Sequence, residues 1–466
     1  MHALRSIGWT SAAIMLSLAA ACGSSNDSDG SGAAAQGGSG SGASGQGGDL
    51  FSGSGGGTPA CENLECKQVS CPGGGKTTVT GTVFEPAGKT PLYNVIVYVP
   101  NAPLDPIPEG ATCDQCGFLS GEPLVTALTG TDGKFVLENV PVGDDIPVVI
   151  QVGKWRREIT IPTVAECADT PLTDPEQTSL PSNQGEGHIP KIALTTGGAD
   201  SLECWLRKIG LEDSEFTPEA GTGRINLFGG SGGSPKYVPT MNGGATLTSA
   251  QTFWSNPATV NTYDIVLLSC EGDQNIGTKP PEALQAMHDY ASLGGRVFAS
   301  HWHNVWLEQG PPGFASVASW NFGQGDPSDP FNTLIDQSFP KGEALAEWLF
   351  NVGASPVAGE LSINEPRNTI GSIDGTLTRR WIYGQAYPAV QYFSFNTPVG
   401  APDDELCGRV VFSDLHVSSG DQEGADFPSG CNSTDLSPQE KALLFMLFDL
   451  SSCIDPNEDP MVPPPA

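Results

Sequence analysis

The sequence predicts two folded parts, a small β-sandwich followed by a doubly wound α/β domain, carried behind a disordered N-terminal tether. Three observations predict this. Residues 76–165 alternate short β-branched runs with Pro/Gly turns and show no helical stretch, as a sandwich requires. Residues 191–453 alternate continuous apolar runs with helical segments, the texture of parallel strands buried on both faces. Residues 23–75 are a Gly/Ser-rich tether ending in a cysteine cluster, and a chain of this kind buries too little surface to offset the entropy of ordering. The length of 466 residues suits two or three domains with linkers.

Residues 1–22, MHALRSIGWTSAAIMLSLAAAC, join one early charge, Arg5, to an apolar run and a small-residue site. That pattern is a secretory signal rather than a spanning helix. Its end, from Leu18 through Cys22 to Gly23, resembles a bacterial lipobox, with Ala19 where a leucine is usual. The resemblance implies that Cys22 is acylated and becomes the mature N-terminus. A lipid followed by a tether implies an exported protein held on a membrane of the cell envelope, its folded part facing the periplasm or the exterior.

Lys plus Arg number 21 and Asp plus Glu 53, for a formal charge of −32. Phosphate backbones and anionic headgroups would repel such a chain, so nucleic acid is discounted as a partner. Of the twelve cysteines, setting Cys22 aside leaves an odd number, so at least one is free or paired outside the chain. Cys61, Cys66 and Cys71 close the tether, and Cys113 and Cys116 form a C-x-x-C in a Pro/Gly-rich insertion. Without a strand-to-helix context these read as disulfide staples in an oxidising compartment rather than a redox or metal motif.

Within the first folded part, Thr78 to Phe84 alternates, Asn94 to Val99 follows, and Asp132-Gly133 marks a turn before strands over 147–152 and 157–161. The stretches "VTGTVFEPAGKTPLYNVIVYV" and "TGTDGKFVLENVPVGDDIPVVIQVGKW" resemble the carboxypeptidase regulatory-like (transthyretin-like) sandwich. That resemblance implies a spacer or adhesive module. Residues 166–190 form a polar, Pro-containing linker.

In the second part, strands are predicted at 191–195, 224–228, 263–270, 296–300 and 408–416. Helices are predicted over 202–209, from Pro280-Pro281 to Gly294-Gly295, and from Ser437, where Ser437 and Glu440 form a capping box, to Leu450. Residues 454–466 read as a disordered tail. The glycines 229–233 follow a strand but lack the Lys-Ser/Thr of a phosphate loop, so they are read as a plain loop.

Polar groups gather at the C-terminal ends of three of these strands, where open α/β sheets place ligands. Cys270, Glu271 and Asp273 end one, His301 and His303 another, and Asp414 and His416 the last. Residues two apart share a strand face, so His301 pairs with His303 and Asp414 with His416 if both strands run on. "YDIVLLS", the helix ending in "LGG", "RVFASH" and "GRVVFSDLH" together resemble the class I glutamine amidotransferase-like fold, a flavodoxin-like arrangement, and within it the ThuA-like group. The resemblance places functional histidines at His301 and His416. It departs from true amidotransferases at the strand ending in Ser300, which has no Gly-x-Cys-x-Gly nucleophile elbow, so glutaminase chemistry is not expected.

Three readings follow, of which the leading one is a cell-envelope lipoprotein acting as a surface binding or accessory protein and its alternative a metal-assisted hydrolase. His301, His303, Asp414 and His416 suit a divalent metal such as zinc, and an open coordination position would permit hydrolysis of a carbohydrate or related small molecule, with Cys270, Glu271, His301 and His416 as catalytic candidates. A protein that binds a glycan or protein ligand without turnover would use Trp302 and Trp306, with Trp320 near the same mouth, as stacking surfaces. In the third reading the histidines are hydrogen-bonded structural groups; His288, on the apolar side of its helix, is read that way in any case.

Overall fold

The computed structural model describes residues 61–459, apart from 115, 117, 118, 386–388 and 418–420. The expected signal segment with its lipidation site Cys22, residues 23–60 of the expected tether and residues 460–466 of the expected tail lie outside the described residues. Residues 61–75, also expected as tether, are instead folded, with short 3-10 turns at Asn63–Lys67 and Pro72–Gly74 held by disulfides, because the cysteines tie them to the sandwich.

Seven strands build the first part: β1 (Thr78–Thr82), β2 (Ile96–Pro100), β3 (Pro123–Leu128), β4 (Lys134–Glu138), β5 (Gly143–Val152), β6 (Trp155–Val164) and β7 (Asp169–Leu172). They form two sheets, ordered β4-β1-β7 and β3-β2-β5-β6. Strand β4 alternates exposed and buried residues, with Phe135 and Leu137 inward. β2 is buried along its whole length for a different reason. Val97 and Val99 join the main core, while Ile96 and Tyr98 meet Leu104 and Leu119 of the 101–125 insertion, which covers the outer face.

The segment 166–190, expected as a linker, supplies a strand instead. β7 pairs in parallel with β1, and the hydroxyls of Thr78 and Thr80 donate to the Asp169 carboxylate at 2.8 and 2.9 Å. Polar composition concealed it because this is an edge strand with a wet outer side.

The second part contains β8 (Ile192–Thr195), α1 (Leu202–Lys208), β9 (Ile225–Gly229), β10 (Ile265–Leu268), α2 (Pro281–Ser292), β11 (Arg296–Ser300), β12 (Phe331–Ile335), α3 (Pro340–Asn351), β13 (Glu360–Ile363), β14 (Arg379–Gly384), β15 (Val390–Thr397), β16 (Gly408–Ser413) and α4 (Pro438–Ser451). Its main sheet has eleven strands among the described residues. Strands β9-β8-β10-β11-β16 pair in parallel, in that order. From β16 the sheet continues antiparallel through β15, β14, β12 and β13. A parallel sheet was expected throughout, so the antiparallel half, built from residues 331–397, is a correction. Those strands are interrupted by turn-rich segments and by the helix α3, which hid their hairpin pairing.

The two parts share one hydrophobic core, and α4 lies at its centre. Phe448 meets Trp155 edge-on at 5.6 Å, and Phe445 stacks on Tyr93 at 5.7 Å. This explains why the helix is apolar on nearly every side. The β5–β6 hairpin comes so close to α4 that a Cβ on Gly153, at φ +52°, would lie 1.7 Å from the Ser451 carbonyl. Only glycine fits there.

Five disulfides close the structure: Cys61–Cys66, Cys71–Cys167, Cys113–Cys407, Cys116–Cys453 and Cys204–Cys431. The C-x-x-C therefore does not close on itself; each cysteine reaches across to the second part. Cys270 is the free cysteine among the described residues. Such a set belongs in an oxidising or extracellular location. No helix among the described residues is long and apolar enough to cross a membrane.

The start of the expected tail is also structured. Glu458 is buried against Lys341 at 3.2 Å and Arg409 at 2.8 Å, and both bases also hold Asp449. The ordering comes from charge pairing, which composition does not display.

Burial pushes the Glu85 carboxyl up to about 7, although it accepts the backbone N–H groups of Lys89 and Thr90. Between its ordinary 4.5 and about 7 the folded chain holds a proton that the unfolded chain releases. The stabilisation is therefore complete below about pH 4.5 and is lost as pH rises toward 7. Glu85→Gln should remove this slope, so the variant should gain on the parent in denaturant midpoint from pH 4 to pH 8; an equal difference at both ends would refute it.

Candidate functional site

The C-terminal ends of β8, β10, β11 and β16 converge on a buried group of side chains. β11 does not run on through His303. It stops at Ser300, and His301–Asn304 form a tight 3-10 turn that leads into a short helix, Val305–Glu308. His301 sits at this strand-to-helix turn with φ +33°, in the left-handed region that residues with a Cβ seldom adopt and that collects at functional sites. It is the kind of strained strand-to-helix turn on which α/β hydrolases present a nucleophile. Here it presents an imidazole.

The turn separates the two histidines that sequence spacing had paired. His301 points toward Cys270, with Sγ to Nδ1 at 3.7 Å, and toward His416, with ring centroids 5.2 Å apart. His303 goes elsewhere: its Nε2 is bonded to the Ser269 carbonyl at 2.8 Å, and its Nδ1 accepts the Trp306 indole N–H at 2.9 Å. Both nitrogens are used, so His303 has no lone pair to give a metal. It is a structural group, and His303→Ala should cost about 2–4 kcal/mol by stranding two buried partners, while metal affinity stays within a few-fold. Unfolding curves and a metal titration on the same protein check both halves.

One ligand atom from each of Cys270, His301 and His416 lies within 4.8 Å of the others, and all three residues are buried. The Nε2 atoms of both His301 and His416 are buried without a hydrogen-bond partner. Asp414 stands beside this group rather than in it. Its Oδ1 is 3.9 Å from His301 Nε2, and both its oxygens accept from Thr369, at 2.6 and 2.8 Å.

Charge in the site follows from burial and from Asp200. Burial pushes the Cys270 thiol up to about 12, and the Asp200 carboxylate adds to the effect. Burial, with the positive charges of His416 and Arg367, holds His301 down to about 3. Burial also opposes charge on His416, but the Asp200 carboxylate 3.5 Å from its Nδ1 outweighs it and raises the imidazole. Burial pushes the Asp414 carboxyl up to about 7, against its bonds from Thr369.

The remaining predicted residues separate cleanly. Glu271 is committed to Lys279, at 2.5 Å, and to the Ser231 N–H, at 2.8 Å, so it braces the loops and is not a free catalytic carboxylate. Asp273 is exposed. Trp306 is buried in the core and offers no open face, and half-buried Trp320 packs edge-on against Phe412. Trp302 is half-buried beside His301, with ring centroids 4.7 Å apart, and stacks on the exposed Phe322 at 5.7 Å. His288 is half-buried against Phe314 on its helix.

Sequence reasoning missed Asp200, which is fully buried in the loop after β8. Its position at the C-terminal end of a parallel strand was the available signal.

Fold and site together define a disulfide-closed, β-rich protein with a buried thiol–imidazole group at the C-terminal edge of parallel strands. No family model and no curated protein matches the chain. Among solved structures it is similar to chains of two interface mutants of a type II cohesin–X-dockerin complex from Acetivibrio cellulolyticus. They share 18% and 17% identity, covering 30% and 31% of this chain and 75% and 78% of theirs, with TM-scores of 0.15 and 0.16. At such scores the overlap says nothing about fold or partner.

Proposed function

We propose that the chain is an exported lipoprotein, anchored through Cys22, whose second part holds a divalent metal and hydrolyses a carbohydrate or related small molecule. One observation carries the reading: two buried imidazoles keep an unpartnered nitrogen while their ligand atoms and the Cys270 sulfur lie within 4.8 Å. A thiolate and two imidazoles form a suitable donor set for zinc and similar borderline ions, and three protein ligands leave a position open. An ion bound there supplies Lewis acidity and makes water a better nucleophile near neutral pH.

The chain's own groups prepare that site. The His416 Nδ1–H donates to the Ala199 carbonyl at 2.8 Å, so Nε2 is the nitrogen that would face an ion once it has given up its proton. The strained turn at His301 aims the second imidazole, and all three donor residues are buried. Parallel strands β9-β8-β10-β11-β16 with helices between them support the amidotransferase-like, ThuA-like reading, and the sandwich resembles a regulatory-like spacer. Histidine at the elbow position argues against glutaminase chemistry.

A second reading, a surface binding or accessory protein without turnover, draws on the Trp302–Phe322 pair, whose exposed Phe322 ring suits a glycan or an apolar protein contact. Metal analysis of the purified mature chain, followed by hydrolysis screens with and without chelator, separates the two. Stoichiometric metal and chelator-sensitive turnover support the first; a metal-free protein that binds glycans overturns it in favour of the second.

A further inference from the structure

We propose that Asp200 is the positioning carboxylate of this centre, an inference that rests on the metal reading above. It touches neither substrate nor, on this geometry, the metal; it acts through the two histidines. Its Oδ1 accepts the backbone N–H of Val417 at 2.8 Å and lies 3.5 Å from His416 Nδ1. Its other oxygen accepts the Ser300 hydroxyl. Ser300 immediately precedes His301, and Val417 immediately follows His416. One carboxylate thus ties the Ser300 side chain, just before His301, to the Val417 backbone, just after His416, from a loop that follows a third strand.

Two physical consequences follow. The Ala199 carbonyl and the Asp200 carboxylate both face His416 Nδ1, which fixes the ring orientation and makes the opposite nitrogen a stronger donor; such outer carboxylates are a recurring part of metal–histidine sites. Asp200 is also fully buried, so its negative charge stays unscreened within the site. With Cys270 ionised on binding, the pocket carries two negative charges, which a divalent cation neutralises. A site built in this way favours a divalent cation over a neutral or anionic ligand.

The test uses the mature chain and Co2+ alone as the probe. Wild type should bind one equivalent with a thiolate-to-cobalt absorption band. Asp200→Asn, which keeps the shape and removes the charge, should lower affinity by about 10–100-fold while the band and the thermal midpoint of the metal-free protein are retained. Equal affinity of Asp200→Asn and wild type would overturn the inference and leave the metal reading standing; no cobalt binding by wild type would overturn both. If Asp200→Asn does not fold, Ser300→Ala serves, since it removes one of the carboxylate's hydrogen bonds: a several-fold loss of affinity supports the inference and an unchanged affinity overturns it.

Discussion

Replacing His301 or His416 by alanine is expected to abolish stoichiometric zinc or cobalt binding, with affinity falling at least about 100-fold, and Cys270→Ala to remove the thiolate absorption band as well. The expectation rests on coordination number: with three protein ligands, losing one leaves two, too few to compete with water for the ion. Among these variants Cys270→Ala should disturb the fold least. Its thiol is a small buried group, 3.7 Å from His301 Nδ1 and facing the backbone of Trp302 and Gly272, so truncation removes little volume. His303→Ala is the internal control, since it alters stability while sparing the metal. If His303→Ala lost the metal and His301→Ala kept it, the turn at Ser300–His301 would have been read wrongly. Metal analysis after dialysis, beside circular dichroism of each variant, decides the matter.

The second large effect concerns the two disulfides from the insertion to the second part. Cys113–Cys407 and Cys116–Cys453 run almost side by side. Removing one alone therefore opens a loop of only about 50 residues through the other, worth roughly 4 kcal/mol on the chain-entropy argument. Removing both frees connections that span 294 and 337 residues, so the double loss should exceed the sum of the single losses. The change also loosens the cover that Leu104 and Leu119 place over Ile96 and Tyr98. Denaturant midpoints of Cys113→Ser with Cys407→Ser, of Cys116→Ser with Cys453→Ser, and of all four together test this; strictly additive losses would show that the two bonds act independently.

Much of the local structure was legible. Strand β11 begins and ends where its apolar run does, and α4 starts at the predicted capping box of Ser437 and Glu440. His301, His416 and Cys270 could be named because a strand that ends in a polar residue puts it at the sheet's edge. The pairing of His301 with His303 could not be judged, because a period of two holds only while the strand lasts, and a tight turn intervenes. Asp414 likewise shares a strand end with His416, but Thr369, 45 residues away in sequence, takes up both its oxygens.

The sequence by itself determined the order of local elements, the sandwich-like β texture, the odd cysteine and the strand ends on which chemistry would sit. Each of these depends on neighbours within a few residues, through side-chain periodicity, turn chemistry and capping. The tertiary structure decided the antiparallel half of the main sheet, the partners of Cys113 and Cys116, the burial of Glu458, and the meeting of Asp200 with Ser300 and Val417. Those contacts join residues separated by up to several hundred positions, and pairing at that distance is selected by the packing of the whole core.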